Sequence, residues 1–168
     1  MSGDGLKRLG FGGGCHWCTE AVFQALTGVA RVEQGFAAAD PPDDAFSEAA
    51  RVAFDPAAIP LDTLVEVHLR THASTADHTM RGKYRSAIYA EGTEDAAEIR
   101  AALDALRPTF DGLVTRVLPL RAWRASDPRF HDYYATDPTR PFCRTYIDPK
   151  LALLRERFGG MVRDDRGG

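Results

Sequence analysis

The chain has 168 residues, of which 44% are hydrophobic, and its formal net charge is −3. This length predicts one domain over residues 1–168 with a single core. No run of Lys or Arg in the sequence forms a basic stripe, so the chain lacks the positive surface that binds nucleic acid. The first residues lack the basic start and apolar segment of a signal peptide, and no apolar run reaches bilayer length. We therefore expect a cytoplasmic monomer that binds neither nucleic acid nor membrane.

Hydrophobic patterning predicts alternating strands and helices through the first two thirds of the chain. Taken in order, the predicted elements are a strand over 6–11, a helix after Cys15, strands over 29–36 and 49–54, a helix from Leu61, a strand over 86–90, a helix capped by Thr93 and a strand over 113–118. From Pro119 onward the chain is rich in aromatics, Arg and Pro, and we expect a long irregular wrap there. The termini, 1–5 and 161–168, are predicted to be disordered.

This order of elements is typical of an α+β fold. Strand, helix, two strands, helix and strand form the ferredoxin-like pattern, in which we expect a mixed sheet that carries its helices on one face. The long C-terminal wrap must gain its order by packing on that core or by building a site.

The chemistry of the chain is concentrated in residues 12–20. This segment holds Cys15 and Cys18, two of the three cysteines, where a predicted strand gives way to a helix. Unpaired N–H groups and the helix dipole at such a turn favour a thiolate. The three glycines before Cys15 permit unusual backbone angles and close approach of another molecule. The segment therefore predicts a nucleophilic or redox-active cysteine pair, which in a reducing compartment would cycle rather than cross-link the fold permanently.

Two other interpretations of this pair are weaker. A Cys-X-X-Cys pair is half of a zinc site and His16 offers a further ligand, but Cys143 and the scattered histidines show no ligand spacing. We therefore expect no metal. The cysteines could also be small buried apolar residues, although three glycines and a tryptophan beside them bring no packing advantage.

Several segments in sequence order resemble the peptide methionine sulfoxide reductase A family. They are Phe-Gly-Gly-Gly-Cys-X-Trp-Cys-X-Glu-Ala-X-Phe over 11–23, and residues 48–56, 84–89, 131–134, 142–144 and 147–151. One such motif alone is weak, but this ordered set covers most of the chain. The resemblance implies an oxidoreductase that reduces the S-epimer of methionine sulfoxide, free or in proteins, with no bound cofactor and with thioredoxin as the recycling reductant.

The resemblance also implies roles for the residues that match. Cys15 takes the position of the nucleophile, which attacks the sulfoxide sulfur and is left as a sulfenic acid. Glu48 matches the acid that protonates the sulfoxide oxygen, a step for which burial must raise the pKa of a carboxylic acid. Tyr84 matches a phenol that donates a hydrogen bond to this oxygen. Trp17 matches one wall of the substrate pocket that receives the S-methyl group.

Two thiols are candidates for resolving the sulfenic acid. Cys18 lies three residues after Cys15 and could expel water to form a Cys15–Cys18 disulfide, which thioredoxin would open by exchange. Cys143 matches a cysteine position of some family members, and it either relays the disulfide outward or is a buried thiol. The sequence leaves both possibilities open for Cys143.

Departures from the family pattern surround the predicted site. His16 stands where the family has Phe, so it either spoils an apolar wall of the substrate pocket or stabilises the Cys15 thiolate when charged. Thr79 replaces a family Asp, and Phe46 cannot supply the family's second phenol. These losses leave an alternative in which the chain binds methionine sulfoxide or a partner protein without turnover. A generic dithiol oxidoreductase is disfavoured, because no thioredoxin-like pattern follows the cysteine motif.

Overall fold

The computed structural model describes residues 5–72, 74 and 85–163. The first part of the chain forms β1 (Lys7–Gly12), α1 (His16–Gln24), β2 (Val29–Ala38), β3 (Ser47–Phe54), α2 (Leu61–Thr71) and β4 (Ala87–Ala90). The second part adds α3 (Thr93–Leu106), β5 (Arg116–Pro119), β6 (Ala122–Ala125), α4 (Tyr133–Thr136) and α5 (Asp148–Phe158). A π-helical turn, Cys143–Ile147, leads directly into α5.

The six strands of the described residues form one mixed sheet in the order β5-β4-β1-β3-β2-β6. Its four central strands, β4-β1-β3-β2, pair antiparallel in the ferredoxin-like arrangement. β6 extends this unit antiparallel along β2, and β5 pairs parallel with β4. The α+β class and the ferredoxin-like mixed sheet that the order of elements predicts are confirmed.

The helices pack on one face of the sheet. Every second side chain of each strand points to that face, and these side chains form the core with the helices. Phe11 of β1, Val52 of β3 and Ile88 of β4 lie in the same core cluster as the apolar residues of α1, α2, α3 and α5. The Phe11 ring stacks on Phe23 of α1 with ring centroids 4.4 Å apart. This contact fixes α1 over β1 and thereby fixes the turn between them. A smaller cluster around Tyr89 covers the other face.

The C-terminal third is more regular than the sequence predicts. The stretch from Pro119, which we expect to be an irregular wrap, contains β6, α4 and the eleven-residue helix α5. Leu151 and Leu154 of α5 are buried in the main core, so this helix owes its order to tertiary packing that local patterning does not reveal. None of the helices in the described ranges is long and apolar enough to cross a membrane.

Smaller corrections concern the ends of elements. Gly92 is the N-cap of α3, and Thr93 is the first helical residue instead of a side-chain cap. The disorder expected after residue 160 is wrong for 161–163, because the backbone there bonds to the chain at the end of α1. Residues 1–4 and 164–168 lie outside the described residues.

Gly28, between α1 and β2, offers a test of the fold. Its φ is +89°, and a Cβ there would lie 2.7 Å from the Ile59 side chain. We expect Gly28→Ala to lower the free energy of unfolding by about 1–3 kcal/mol, measured by urea denaturation. Gly112→Ala is the matched control, because Gly112 also has a positive φ of +77° but open space around its Cβ position among the described residues. Equal losses in the two variants would contradict a role for the Ile59 contact.

Candidate active site

The turn between β1 and α1 brings two cysteines to the start of a helix. Cys15 is the N-cap of α1, and Cys18 lies in the first turn. The turn requires glycine at position 13, since a Cβ on Gly13, whose φ is +146°, would lie 2.4 Å from the His72 ring. Gly14, by contrast, faces open space among the described residues. Cys15 therefore lies at the helix start where the sequence predicts it.

Cys15 and Cys18 form a hydrogen-bonded thiol pair. The Cys15 thiol donates to Cys18, which raises the pKa of Cys15, and burial raises it further. The same hydrogen bond lowers the pKa of Cys18, and the charge of Lys150 also lowers it. The backbone N–H of Trp17 acts in the opposite direction on Cys15 by donating to its sulfur. The helix start thus favours a Cys15 thiolate, but the hydrogen bond to Cys18 opposes ionisation of Cys15.

Glu48 of β3 reaches the same helix start. Its Oε1 accepts the backbone N–H of His16 at 3.1 Å, and the residue is 8% exposed. Negative charge on Glu48 raises the pKa of Cys15, so the thiol ionises more readily when Glu48 is protonated. A buried carboxyl group beside a nucleophile is the arrangement that a general acid requires.

His16 is turned toward the sheet. Its Nδ1 lies 2.9 Å from the carbonyl oxygen of Gly35, and its Nε2 lies 3.7 Å from Oε1 of Glu48. The edge of the imidazole also contacts Phe36, with ring centroids 5.2 Å apart. These contacts join His16 to β2 and β3. Both sequence-based hypotheses for His16, a spoiled wall of the substrate pocket and stabilisation of the Cys15 thiolate, stay predictions.

Trp17 belongs to an aromatic cluster that the C-terminal segment completes. Its indole stacks on Tyr133 with centroids 4.1 Å apart and planes 6° apart, and Phe142 meets it edge-on at 5.3 Å. Sequence reasoning gives Tyr133 and Phe142 no role, although both lie in segments that match the family. Trp17 thus packs against the rings of Tyr133, Phe142 and Phe130, and its role as a wall of the substrate pocket stays a prediction.

A second buried carboxylate, Glu20, holds this cluster in place. Glu20 is 1% exposed and accepts hydrogen bonds from Gln34 Nε2 at 2.9 Å and from the backbone N–H groups of Asp132 and Tyr133 at 2.8 and 3.2 Å. Burial raises the pKa of Glu20, and its three donors oppose that shift. Sequence reasoning missed this role, and the available signal was an acidic residue beside the apolar side of the predicted helix.

Cys143 is the remaining predicted site residue within the described ranges. Cys143 is fully buried in the π-helical turn, where its Sγ lies 3.6 Å from the carbonyl oxygen of Asp137 and burial raises its pKa. Its role as a relay stays a prediction. Tyr84 lies outside the described residues, as does Thr79, so their expected positions in the site also stay predictions.

A cavity of about 370 Å³ adjoins the cysteine pair on the side of α2 and α5. Cys15, Cys18, His68, His72 and Lys150 are among the residues that line it. Lys150 donates to the backbone carbonyl of Thr71 on α2, and burial lowers its pKa while the thiolates oppose that change. Among the described residues, no three His, Cys, Asp or Glu side chains converge to hold a metal ion.

Comparison with known proteins shows the family to which the chain belongs. The family model described as Peptide methionine sulfoxide reductase matches residues 7–160. The chain belongs to this family. Peptide methionine sulfoxide reductase MsrA of Ralstonia nicotianae is 36% identical over 175 residues and covers 91% of each chain. The protein of the same name from Chromobacterium violaceum is 36% identical and covers 95% of this chain and all of its own length. The chain is thus an oxidoreductase of the MsrA family, and the resemblance found in its motifs is confirmed.

Solved structures agree with the fold. Mxr1 from Saccharomyces cerevisiae in reduced form has a TM-score of 0.75 at 19% identity and covers 86% of this chain and 93% of its own. Mxr1 in complex with Trx2 has a TM-score of 0.62 at 20% identity, with coverage of 79% and 87%. At such low identity these matches establish the ferredoxin-like architecture alone.

Lys150 offers a test of the charge balance in the thiol pair. Removing its charge in Lys150→Met should raise the pKa of Cys18, which lowers the thiolate fraction at neutral pH. We expect iodoacetamide to modify Cys18 about threefold more slowly at pH 7, with the difference vanishing at alkaline pH where both proteins are ionised. Peptide mass spectrometry after timed alkylation measures each thiol separately. Lys150→Arg keeps the charge and should retain the parent rate, whereas equal slowing in both variants would contradict the electrostatic explanation.

Proposed function

We propose that this protein reduces the S-epimer of methionine sulfoxide, free or in proteins, to methionine through a Cys15–Cys18 disulfide that thioredoxin reopens. One observation carries the proposal: the N-cap thiol of Cys15 is hydrogen-bonded to Cys18 and lies at the helix start that anchors the buried acid Glu48. Membership of the MsrA family supports the substrate class.

The reaction begins with the thiol pair. Transfer of one proton from Cys15 to Cys18 along their hydrogen bond leaves the negative charge on Cys15, where the Trp17 N–H stabilises it. The thiolate then attacks the sulfoxide sulfur. The apolar wall of Trp17, Tyr133 and Phe142 supports binding of the S-methyl group next to the nucleophile.

Glu48 supplies the proton that the sulfoxide oxygen needs as its bond to sulfur breaks. We assign Tyr84 as the hydrogen-bond donor to the same oxygen, following its match to the family motif. The oxygen ends on Cys15 as a sulfenic acid, methionine leaves, and the negative charge of the thiolate ends on Glu48. The Cys15 sulfur loses two electrons and the substrate sulfur gains two, so no external electron carrier takes part in this step.

Cys18 resolves the sulfenic acid. Its thiol, now protonated, attacks the Cys15 sulfur, a disulfide forms and water leaves. Exchange with a dithiol such as thioredoxin then regenerates both thiols. The Mxr1–Trx2 complex supports a thioredoxin as the partner, since this chain has the same fold as Mxr1. A cycling disulfide of this kind suits a monomeric enzyme in the reducing cytoplasm.

The decisive experiment compares the two epimers of a methionine sulfoxide peptide. With thioredoxin, its reductase and NADPH, the protein should convert the S-epimer to methionine and leave the R-epimer intact, as measured by chiral chromatography with mass spectrometry. Cys15→Ser should abolish conversion, because it removes the attacking sulfur. Equal loss of both epimers would contradict the proposed stereochemistry. Binding of the peptide without conversion would favour the alternative of a non-catalytic binding module.

A further inference from the structure

We propose that His16 is a positioning residue that holds a proton for Glu48, an inference that rests on the proposed role of Glu48 as the acid. The Nδ1 atom of His16 lies 2.9 Å from the carbonyl oxygen of Gly35. A carbonyl oxygen only accepts hydrogen bonds, so Nδ1 carries the hydrogen. The tautomer is thereby fixed, and Nε2 of the neutral ring presents a lone pair.

The free nitrogen faces the acid. Nε2 lies 3.7 Å from Oε1 of Glu48, and the two side chains are 8% and 10% exposed. A small rotation of the carboxyl group closes this separation to a hydrogen bond, as is common when catalytic contacts tighten on substrate binding. The carbonyl oxygen of Gly35 accepts a hydrogen bond from Nδ1, and the Phe36 ring packs against the imidazole. Because both contacts come from β2, the ring keeps Nε2 directed at Glu48.

The pair can hold one proton in two ways. Either Glu48 is a neutral acid beside a neutral imidazole, or it is a carboxylate beside an imidazolium. Both arrangements have no net charge, which suits a buried site better than an isolated carboxylate. When Glu48 gives its proton to the sulfoxide oxygen, its carboxylate faces a nitrogen that can collect the next proton from solvent and return it.

Other charged groups surround the pair at its margins. The charge of Glu48 acts on Cys15 and Cys18 of α1, and the charge of Lys150 of α5 acts on Cys18. Glu20 is directed at Gln34 and the C-terminal segment, and the guanidinium of Arg124 of β6 lies over the Phe36 ring, 5.1 Å from its centroid. Among the described residues, Glu48 is the carboxylate that comes within ion-pair distance of Nε2.

This arrangement gives His16 a role that the phenylalanine of the family pattern lacks. The phenylalanine that the family pattern has there can neither donate to Gly35 nor exchange a proton with Glu48. His16 adds both capacities without leaving the core, since it is 7% exposed.

Ring spectra of the free protein test the pair without any turnover. Long-range ¹H–¹⁵N spectra of the histidine rings are recorded from about pH 5 to 9 on the parent and on Glu48→Gln, with His16→Asn used to assign the signals. Nδ1 of His16 should stay protonated throughout. Glu48→Gln should change the ¹⁵N signal of Nε2 at a given pH, because that nitrogen then faces a neutral amide in place of the carboxyl group. The same pH response in both proteins would overturn the inference.

The pH dependence of a single turnover tests the role in catalysis. His16→Asn keeps a donor for Gly35 but has no nitrogen that titrates, whereas His16→Phe lacks both. We expect both variants to lose about tenfold in rate at pH 8.5 relative to the parent and less than about threefold at pH 6, because protons become scarce for Glu48 alone. If His16→Asn restores the parent profile, the ring serves only the Gly35 hydrogen bond and the inference fails.

The two proposals fail separately. A parent protein that never consumes methionine sulfoxide would end the proposed function, while the ring spectra would still decide whether His16 and Glu48 share a proton. Normal turnover with pH profiles unchanged in both His16 variants would overturn the inference alone.

Discussion

One hydrogen bond links the chemistry of this protein to its fold: Oε1 of Glu48 accepts the backbone N–H of His16 at 3.1 Å. It ties the start of α1 to β3, so the same two elements position the nucleophile and the acid. Because a helix start favours negative charge, the Cys15 thiol and the Glu48 carboxyl compete to carry it. Charge on Glu48 raises the pKa of Cys15. The proposed chemistry therefore requires that the proton lie on Glu48 when the sulfur is ionised.

The rest of the structure maintains that geometry. Stacking of Phe11 on Phe23 sets the position of α1 over the sheet, and Gly13 of the preceding turn lets the chain pass close to His72. Glu20 then binds the backbone of the C-terminal segment, which brings Tyr133 against Trp17. A segment far away in sequence is thus ordered by the same helix whose first residues form the site.

The sequence was sufficient for the central fold and for the helix start at Cys15, because strand alternation, helical spacing and glycine punctuation are local signals. It was not sufficient for α5, whose buried Leu151 and Leu154 gain their order from tertiary packing. Nor could it orient His16, since the carbonyl that fixes its ring belongs to Gly35 on a different strand. The role of Glu20 was hidden for the same reason: two of its three donors are the backbone N–H groups of Asp132 and Tyr133, 112 and 113 residues away.

The central claim is that Cys15 attacks the sulfoxide and that Cys18, in the same helical turn, resolves the resulting sulfenic acid. Its most direct test is to react the reduced protein with one equivalent of the S-epimer in the absence of reductant and to map the cysteines by mass spectrometry. The account predicts one methionine and one Cys15–Cys18 disulfide per chain, with Cys143 still open to alkylation after unfolding. Formation of methionine with Cys143 in the disulfide, or with Cys18 still a free thiol, would contradict it.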